Sequence, residues 1–164
     1  MKAKLEINAV KGIAIAPAMK NTTAELQHVP VGSTAVLYPY PSNLIPNPTL
    51  WQAVTKLRFR QPGTSLLVPG ANGQIAFSPN LAFSRATATS TLLVGMMKGT
   101  IPAETPTLRA AVLAEFHHWN VQSFIALPVG TPNPTQAVAF FTWLFGQSPT
   151  VSAGATFGWY HLST

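Results

Sequence analysis

Apolar and polar positions alternate at two periods along this chain. The clearest stretch is Ala35-Val36-Leu37-Tyr38, a short apolar run opened by Pro30 and Gly32 and stopped by Pro39 and Pro41. Such a run reads as a strand buried on both faces. Proline has no N–H for a ladder, so the strand must end near Pro39. Before it, residues 4–10 alternate as an edge strand does, residues 12–16 suit a second short strand, and Thr22 or Thr23 starts a helical turn through Gln27. After it, three starts share one local chemistry: Asn47-Pro48-Thr49, Thr105-Pro106-Thr107 and Asn133-Pro134-Thr135. Asn or Thr accepts free N–H groups at a helix start, and proline fits the first helical position.

These starts predict helices over about 48–57, 106–118 and 134–145, and Leu92, Leu93, Met96 and Met97 predict another over 87–98, ended by Gly99. Leu50, Trp51, Val54 and Leu57 would face inward from the first, and Leu108, Val112, Leu113 and Phe116 from the third. The 134–145 segment is apolar all round, which predicts a buried helix or one seated on a partner. Strands are predicted at 65–68 and 121–127, and a terminal hairpin at 150–152 and 156–162. Residues 70–85 read as loop, with Asn72-Gly73 as a tight turn. Strands alternating with helices give an α/β domain over 31–164, of two or three layers. Its central sheet is expected to be mainly parallel, with an antiparallel edge or terminal hairpin, and 1–30 is an N-terminal edge segment.

Composition narrows the function. The chain of 164 residues has 15 prolines, no cysteine and only 9% charged residues. Absence of cysteine excludes disulfides, thiolate catalysis and Cys-ligated zinc. The four acids are all glutamates, Glu6, Glu25, Glu104 and Glu115, and no Lys, Arg, Asp or Glu follows Glu115. The net charge of +6 therefore reflects scarce acids, not dense bases. Nucleic-acid binding needs a dense basic face, and the closest approach, Lys56-Leu57-Arg58-Phe59-Arg60, reads as a helix-end cluster. Few carboxylates make stability insensitive to acid, which fits an exported domain. No run approaches the roughly 20 apolar residues of a membrane span, and Ile13 to Ala16 is too short for a secretory core.

Chemistry-bearing motifs are sparse. His117-His118 are adjacent, so they point about 100° apart on a helix and do not share one ion; a helix C-terminus suits them. No Gly-x-Ser-x-Gly elbow, dinucleotide fingerprint or phosphate loop is present, so no catalytic residue, metal or cofactor is assigned. The Tyr-Pro-Tyr-Pro loop lies at the C-terminal end of a buried strand, where α/β sheets bind ligands. The candidate ligand-binding residues are Tyr38, Tyr40, Ser42, Trp51, Arg58 and Arg60: aromatic faces for a sugar or headgroup, planar guanidinium groups for an anion.

The runs Val-Gly-Ser-Thr-Ala-Val-Leu-Tyr-Pro-Tyr-Pro (31–41), Leu-Trp-Gln-Ala (50–53), Leu-Arg-Phe-Arg-Gln-Pro-Gly (57–63) and Leu-Val-Pro-Gly (67–70) come in an order kept by Thr-Pro-Thr-Leu-Arg-Ala-Ala-Val (105–112) and Trp-Asn-Val-Gln-Ser-Phe-Ile (119–125). Together they resemble the C-terminal extracytoplasmic soluble domain of actinobacterial multi-pass membrane glycosyltransferase-type proteins, which are GT-C-like. The resemblance covers about 31–127. It implies a place outside the membrane, with catalysis in a membrane portion. It also implies contact with cell-envelope glycan or lipid-linked sugar, and with the membrane portion or a partner protein through the apolar helix. The chain departs from the pattern in having no membrane helices and no acidic catalytic residue in an external loop, so transferase activity does not carry over. The alternatives are an interaction or structural domain, a small hydrolase acting at the Tyr38–Ser42 loop, and a cytoplasmic location.

Overall fold

In the computed structural model the described residues are 25–40, 51–52, 55–62, 66–69, 75–78, 87–127, 131–152 and 156–162. In chain order the elements are β1 (Thr34–Tyr38), β2 (Leu66–Pro69), β3 (Ile75–Ser78), α1 (Ala88–Met97), α2 (Pro106–His118), β4 (Val121–Ala126), α3 (Pro134–Phe145), β5 (Thr150–Ser152) and β6 (Thr156–Tyr160). The class is α/β. One sheet has the order β1-β4-β6-β5. β1 and β4 run parallel, with Val36 opposite Phe124 and Tyr38 opposite Ala126. β4 and β6 run antiparallel, with Ser123 opposite Tyr160 and Ile125 opposite Gly158. β5 and β6 form the expected terminal hairpin.

The sheet is mixed, with a smaller parallel share than the pattern suggested. The reason is local. β2 does not join the central sheet but pairs with β3 in a separate antiparallel ribbon. The stretch expected to be loop from 70 to 85 thus contains a strand. The outer edge of β1 is taken by residues 58–60 instead: Arg60 N–H donates to Ser33 O at 2.7 Å, and Ala35 N–H to Arg60 O at 2.8 Å.

Helix boundaries follow capping chemistry. Thr87 and Ser90 close a reciprocal capping box on α1. Thr105 accepts from Leu108 N–H at the start of α2, one residue before Pro106. The start of α3 differs from expectation. Asn133 lies in the left-handed region and caps nothing; its side-chain amide donates to Gly99 O at 3.0 Å. Gly146, at φ +68, ends α3, and Arg109 Nε–H donates to Leu144 O beside it at 2.9 Å. Only Trp51 and Gln52 of the expected 48–57 helix are described as helical. Lys56 and Leu57 are left-handed, so the helix stops before them, and Leu57 is exposed where an inward position was expected.

Alternation along the sheet separates two apolar clusters. On the helix side lie Val36, Tyr38, Phe124, Trp159, Phe116, Phe140 and Phe141. On the other side lie Ala35, Leu37 and Ile125 with Leu26, Val29, Trp51 and Phe59. Residues 25–30 therefore pack into the domain, across the boundary drawn at 30; residues 1–24 lie outside the described set. The apolar character of α3 is spent internally: Phe140, Phe141 and Leu144 are buried, and Trp143 and Phe145 are partly so.

Candidate functional site

The residues singled out from sequence do not form one cluster. Tyr38 and Tyr40 are buried in the helix-side core, and Tyr40 N–H donates to Met97 Sδ. Burial pushes both phenols above their ordinary range, offset at Tyr38 by a hydrogen bond with Thr131. Trp51 is buried on the opposite side of the sheet. Arg58 is half-buried and donates through Nε to Val29 O at 2.9 Å. Arg60 is exposed and pairs with Thr34, at the N-terminal end of β1 and so away from Tyr40. Ser42 lies outside the described residues.

A different set of polar groups converges beneath β6. Phe157 and Trp159 pack toward the helices, so Thr156, Gly158 and Tyr160 face the other way. Under them comes the turn at 25–30. Its His28 N–H donates to Glu25 O, and Leu26 and Val29 anchor it in the apolar cluster. Arg58 holds it from behind through Val29 O. The turn thereby carries the carboxyl of Glu25, 0% exposed, against the hydroxyl of Tyr160, which donates to Oε1. Gly158 makes room: a Cβ there would stand 2.5 Å from Tyr160 Oη and 2.6 Å from Glu25 Oε1. Burial, and then Glu25, push the Tyr160 phenol far above its ordinary value.

Two clefts flank Tyr160. One, of about 470 Å³, is lined by His28, Pro30, Gln122, Ser123, Tyr160, His161 and Leu162. The other, of about 360 Å³, shares His28, Tyr160 and His161 and adds Gln147, Ser148, Thr150 and Gly158. The His28 and Tyr160 rings meet edge to face with centroids 6.2 Å apart. His28 Nδ1 is 3.8 Å from Glu25 Oε1, beyond a hydrogen bond but within ion-pair range when protonated. His161 is held at φ +52, a left-handed setting a non-glycine residue adopts at some cost. Buried Glu25 Oε2, Ser123 Oγ and Thr156 Oγ1 have no hydrogen-bond partner among the described residues.

A serine nucleophile needs exposure and a base, and Ser123 is 0% exposed. Burial, and then the hydrogen bond to Glu25, hold the Tyr160 proton, so a phenolate base is disfavoured. No group of three or more metal-ligating residues occurs among the described residues. His117 and His118 sit exposed in the last turn of α2. Glu115 is occupied elsewhere: its oxygens accept from Ala88 and Thr89 N–H at 2.7 and 2.8 Å, capping α1. Sequence reading missed Glu25, His28, Ser123, Tyr160 and His161. The available signal was Glu25-x-x-His28 on a turn whose apolar Leu26 and Val29 force it inward.

No family model, curated protein or solved structure matches this chain. Among the described residues no helix is long and apolar enough to cross a membrane.

Proposed function

We propose that this chain is a non-catalytic domain that binds cell-envelope glycan or lipid-linked sugar outside the membrane, in association with a membrane glycosyltransferase. The binding site is the cleft beside Tyr160, which replaces the Tyr-Pro-Tyr-Pro loop as the candidate. One observation carries the reading: a cleft of about 470 Å³ sets aromatic His28 and Tyr160 beside Gln122 and His161. Sugar hydroxyls both donate and accept, so they pair with amides, hydroxyls and imidazoles. Sugar C–H faces pack on aromatic rings. The volume falls within the range of small-molecule sites. The membrane association rests on the resemblance of residues 31–127, and the extracytoplasmic location on that and on the scarcity of carboxylates.

Titration of isotopically labelled protein with neutral and acidic mono- and oligosaccharides tests this. Shifts are expected at His28, Gln122, Tyr160 and His161. Gln122→Ala should weaken binding about fivefold or more, a typical worth for one hydrogen bond, without altering the melting temperature. Absence of any saccharide-induced shift would remove the reading. Shifts confined to Tyr40 and its neighbours would return the site to the loop after β1.

A further inference from the structure

We infer that the edge of the domain formed by residues 31–33 and 56–60 docks on an anionic lipid surface. This contact is independent of the glycan reading above. Three large apolar side chains are exposed among the described residues: Val31 at 74%, Leu57 at 71% and Val151 at 61%. Single exposed apolar residues are ordinary. Val31 and Leu57, however, lie on adjoining segments. Gly32 N–H donates to Arg58 O at 2.8 Å, and Arg60 N–H to Ser33 O at 2.7 Å, so 31–33 runs alongside 58–60 and Val31 comes beside the turn at Leu57 and Arg58. Cations flank the pair: Lys56 and Arg60 are exposed, and Arg58 is half-buried. No Asp or Glu occurs between residues 26 and 103. Glu25, just before that stretch, is buried, and Glu115 caps α1.

The backbone holds Leu57 outward. Lys56 and Leu57 both sit in the left-handed region, at φ 57 and φ 54. Glycine, asparagine and aspartate take that setting most readily, and a leucine takes it at a cost. Leucine is thus disfavoured here by the backbone and gains nothing from the core, so neither accounts for its presence. The loop is fixed from behind. Leu57 N–H donates to Gln52 O at 2.9 Å, the Gln52 side-chain amide donates to Phe59 O at 2.9 Å, and Phe59 is buried in one cluster with Trp51. A bilayer surface supplies both missing contacts. Leucine and valine enter the boundary between headgroups and acyl chains, while lysine and arginine keep their charge at the phosphates with their stems alongside. Each cation near an anionic surface adds an attraction that salt screens. A nucleic acid would meet the same charges, but its phosphates offer Leu57 and Val31 no apolar partner, so the lipid surface is favoured.

Flotation of the full chain with lipid vesicles tests this, using phosphatidylcholine alone against phosphatidylcholine mixed with phosphatidylglycerol. Partition onto the anionic vesicles is expected to exceed that onto the neutral ones about tenfold or more, and to fall as salt is raised. Leu57→Asn should lower it about threefold or more while leaving the melting temperature unchanged or higher, since asparagine takes the left-handed setting more readily. Lys56→Gln and Arg60→Gln should each lower it about fivefold and flatten the salt dependence. Val151→Ser is the internal control: it removes the third exposed apolar side chain, on β5 at the opposite edge of the sheet from β1, and should change nothing. Equal or absent partition onto the two kinds of vesicle would overturn the inference. Undiminished partition of folded Leu57→Asn would do the same, as would a Val151→Ser loss as large as that of Leu57→Asn. Capture of a single-stranded oligonucleotide by protein that ignores vesicles would also overturn it and assign the same cations to nucleic acid. In each case the glycan reading stands, because the cleft beside Tyr160 is lined by none of these side chains.

Discussion

Gly158→Ala is the sharpest test of how the site is built. An added Cβ would stand 2.5 Å from Tyr160 Oη, 2.6 Å from Tyr160 Cε2 and 2.6 Å from Glu25 Oε1. All three are shorter than any ordinary carbon contact, and the phenol and carboxyl are both packed beneath the sheet. Relief requires parting Tyr160 from Glu25 or bending β6. Overpacking of this kind costs about 1–3 kcal/mol. Loss of the phenol hydrogen bond leaves a buried carboxylate without its donor, for about 1–3 kcal/mol more. Against this, alanine in a strand gains about 0.5–1 kcal/mol over glycine. The steric and desolvation effects win, with an expected net loss of about 2–4 kcal/mol. For a domain of this size that lowers the melting temperature by roughly 5–15 °C. Urea unfolding followed by circular dichroism measures the loss. Gly95→Ala is the matched control: open space surrounds that position in α1, so it should gain about 0.5–1 kcal/mol. A Gly158→Ala protein as stable as the parent would refute the placement of Glu25 and Tyr160 over Gly158.

Other outcomes can be checked with the same assays. Glu115→Ala removes both carboxylate acceptors from Ala88 and Thr89 N–H and should cost about 2–3 kcal/mol, with Glu115→Gln losing about half as much; equal stability of all three proteins would exclude this cap. The three tyrosines of the chain are Tyr38, Tyr40 and Tyr160, and burial raises each above its unfolded value near 10. Their stabilisation is complete below about pH 10 and is lost as pH rises further, by at most about 1.4 kcal/mol per pH unit per tyrosine and by less at part-exposed Tyr160. Tyrosinate absorbance and loss of circular dichroism should therefore rise together above pH 10. Ionisation of all three tyrosines near pH 10 in protein that is still folded would contradict their burial.

Much of the fold was legible because it rests on local chemistry. Thr87 and Thr105 start helices, Pro106 and Pro134 take first positions, and Gly99, Asn120 and Gly146 end helices with positive φ. Each device acts within four residues of itself. What failed depended on partners further away. Asn133 looks like a cap, but the carbonyl of Gly99 takes its amide. Leu57 fits a helical period, but the backbone has already turned at Lys56. The β2 run reads as a central strand until β3 pairs with it; the turn signal between them was recognised without its returning strand.

The proposed cleft was illegible for a related reason. Placing a site at the end of β1 used a rule for parallel sheets, in which ligands gather at the C-terminal strand ends. Only β1 and β4 obey that geometry here. β6 runs the other way, so its C-terminal end, with Tyr160 and His161, arrives at the N-terminal half of β4, beside Gln122 and Ser123. At the C-terminal end of β1, Tyr38 packs edge to face on Phe141, and Leu127 N–H donates to Tyr38 O at 2.7 Å. Glu25 and Tyr160 are 135 residues apart in sequence, and no spacing rule joins them. What does join them is a two-residue period in β6 that puts Thr156, Gly158 and Tyr160 on one face, with glycine where the carboxyl must pass. β6, antiparallel to both of its neighbours, carries Tyr160 and His161 to the cleft beside His28, at the opposite end of the sheet from the tyrosine-proline loop.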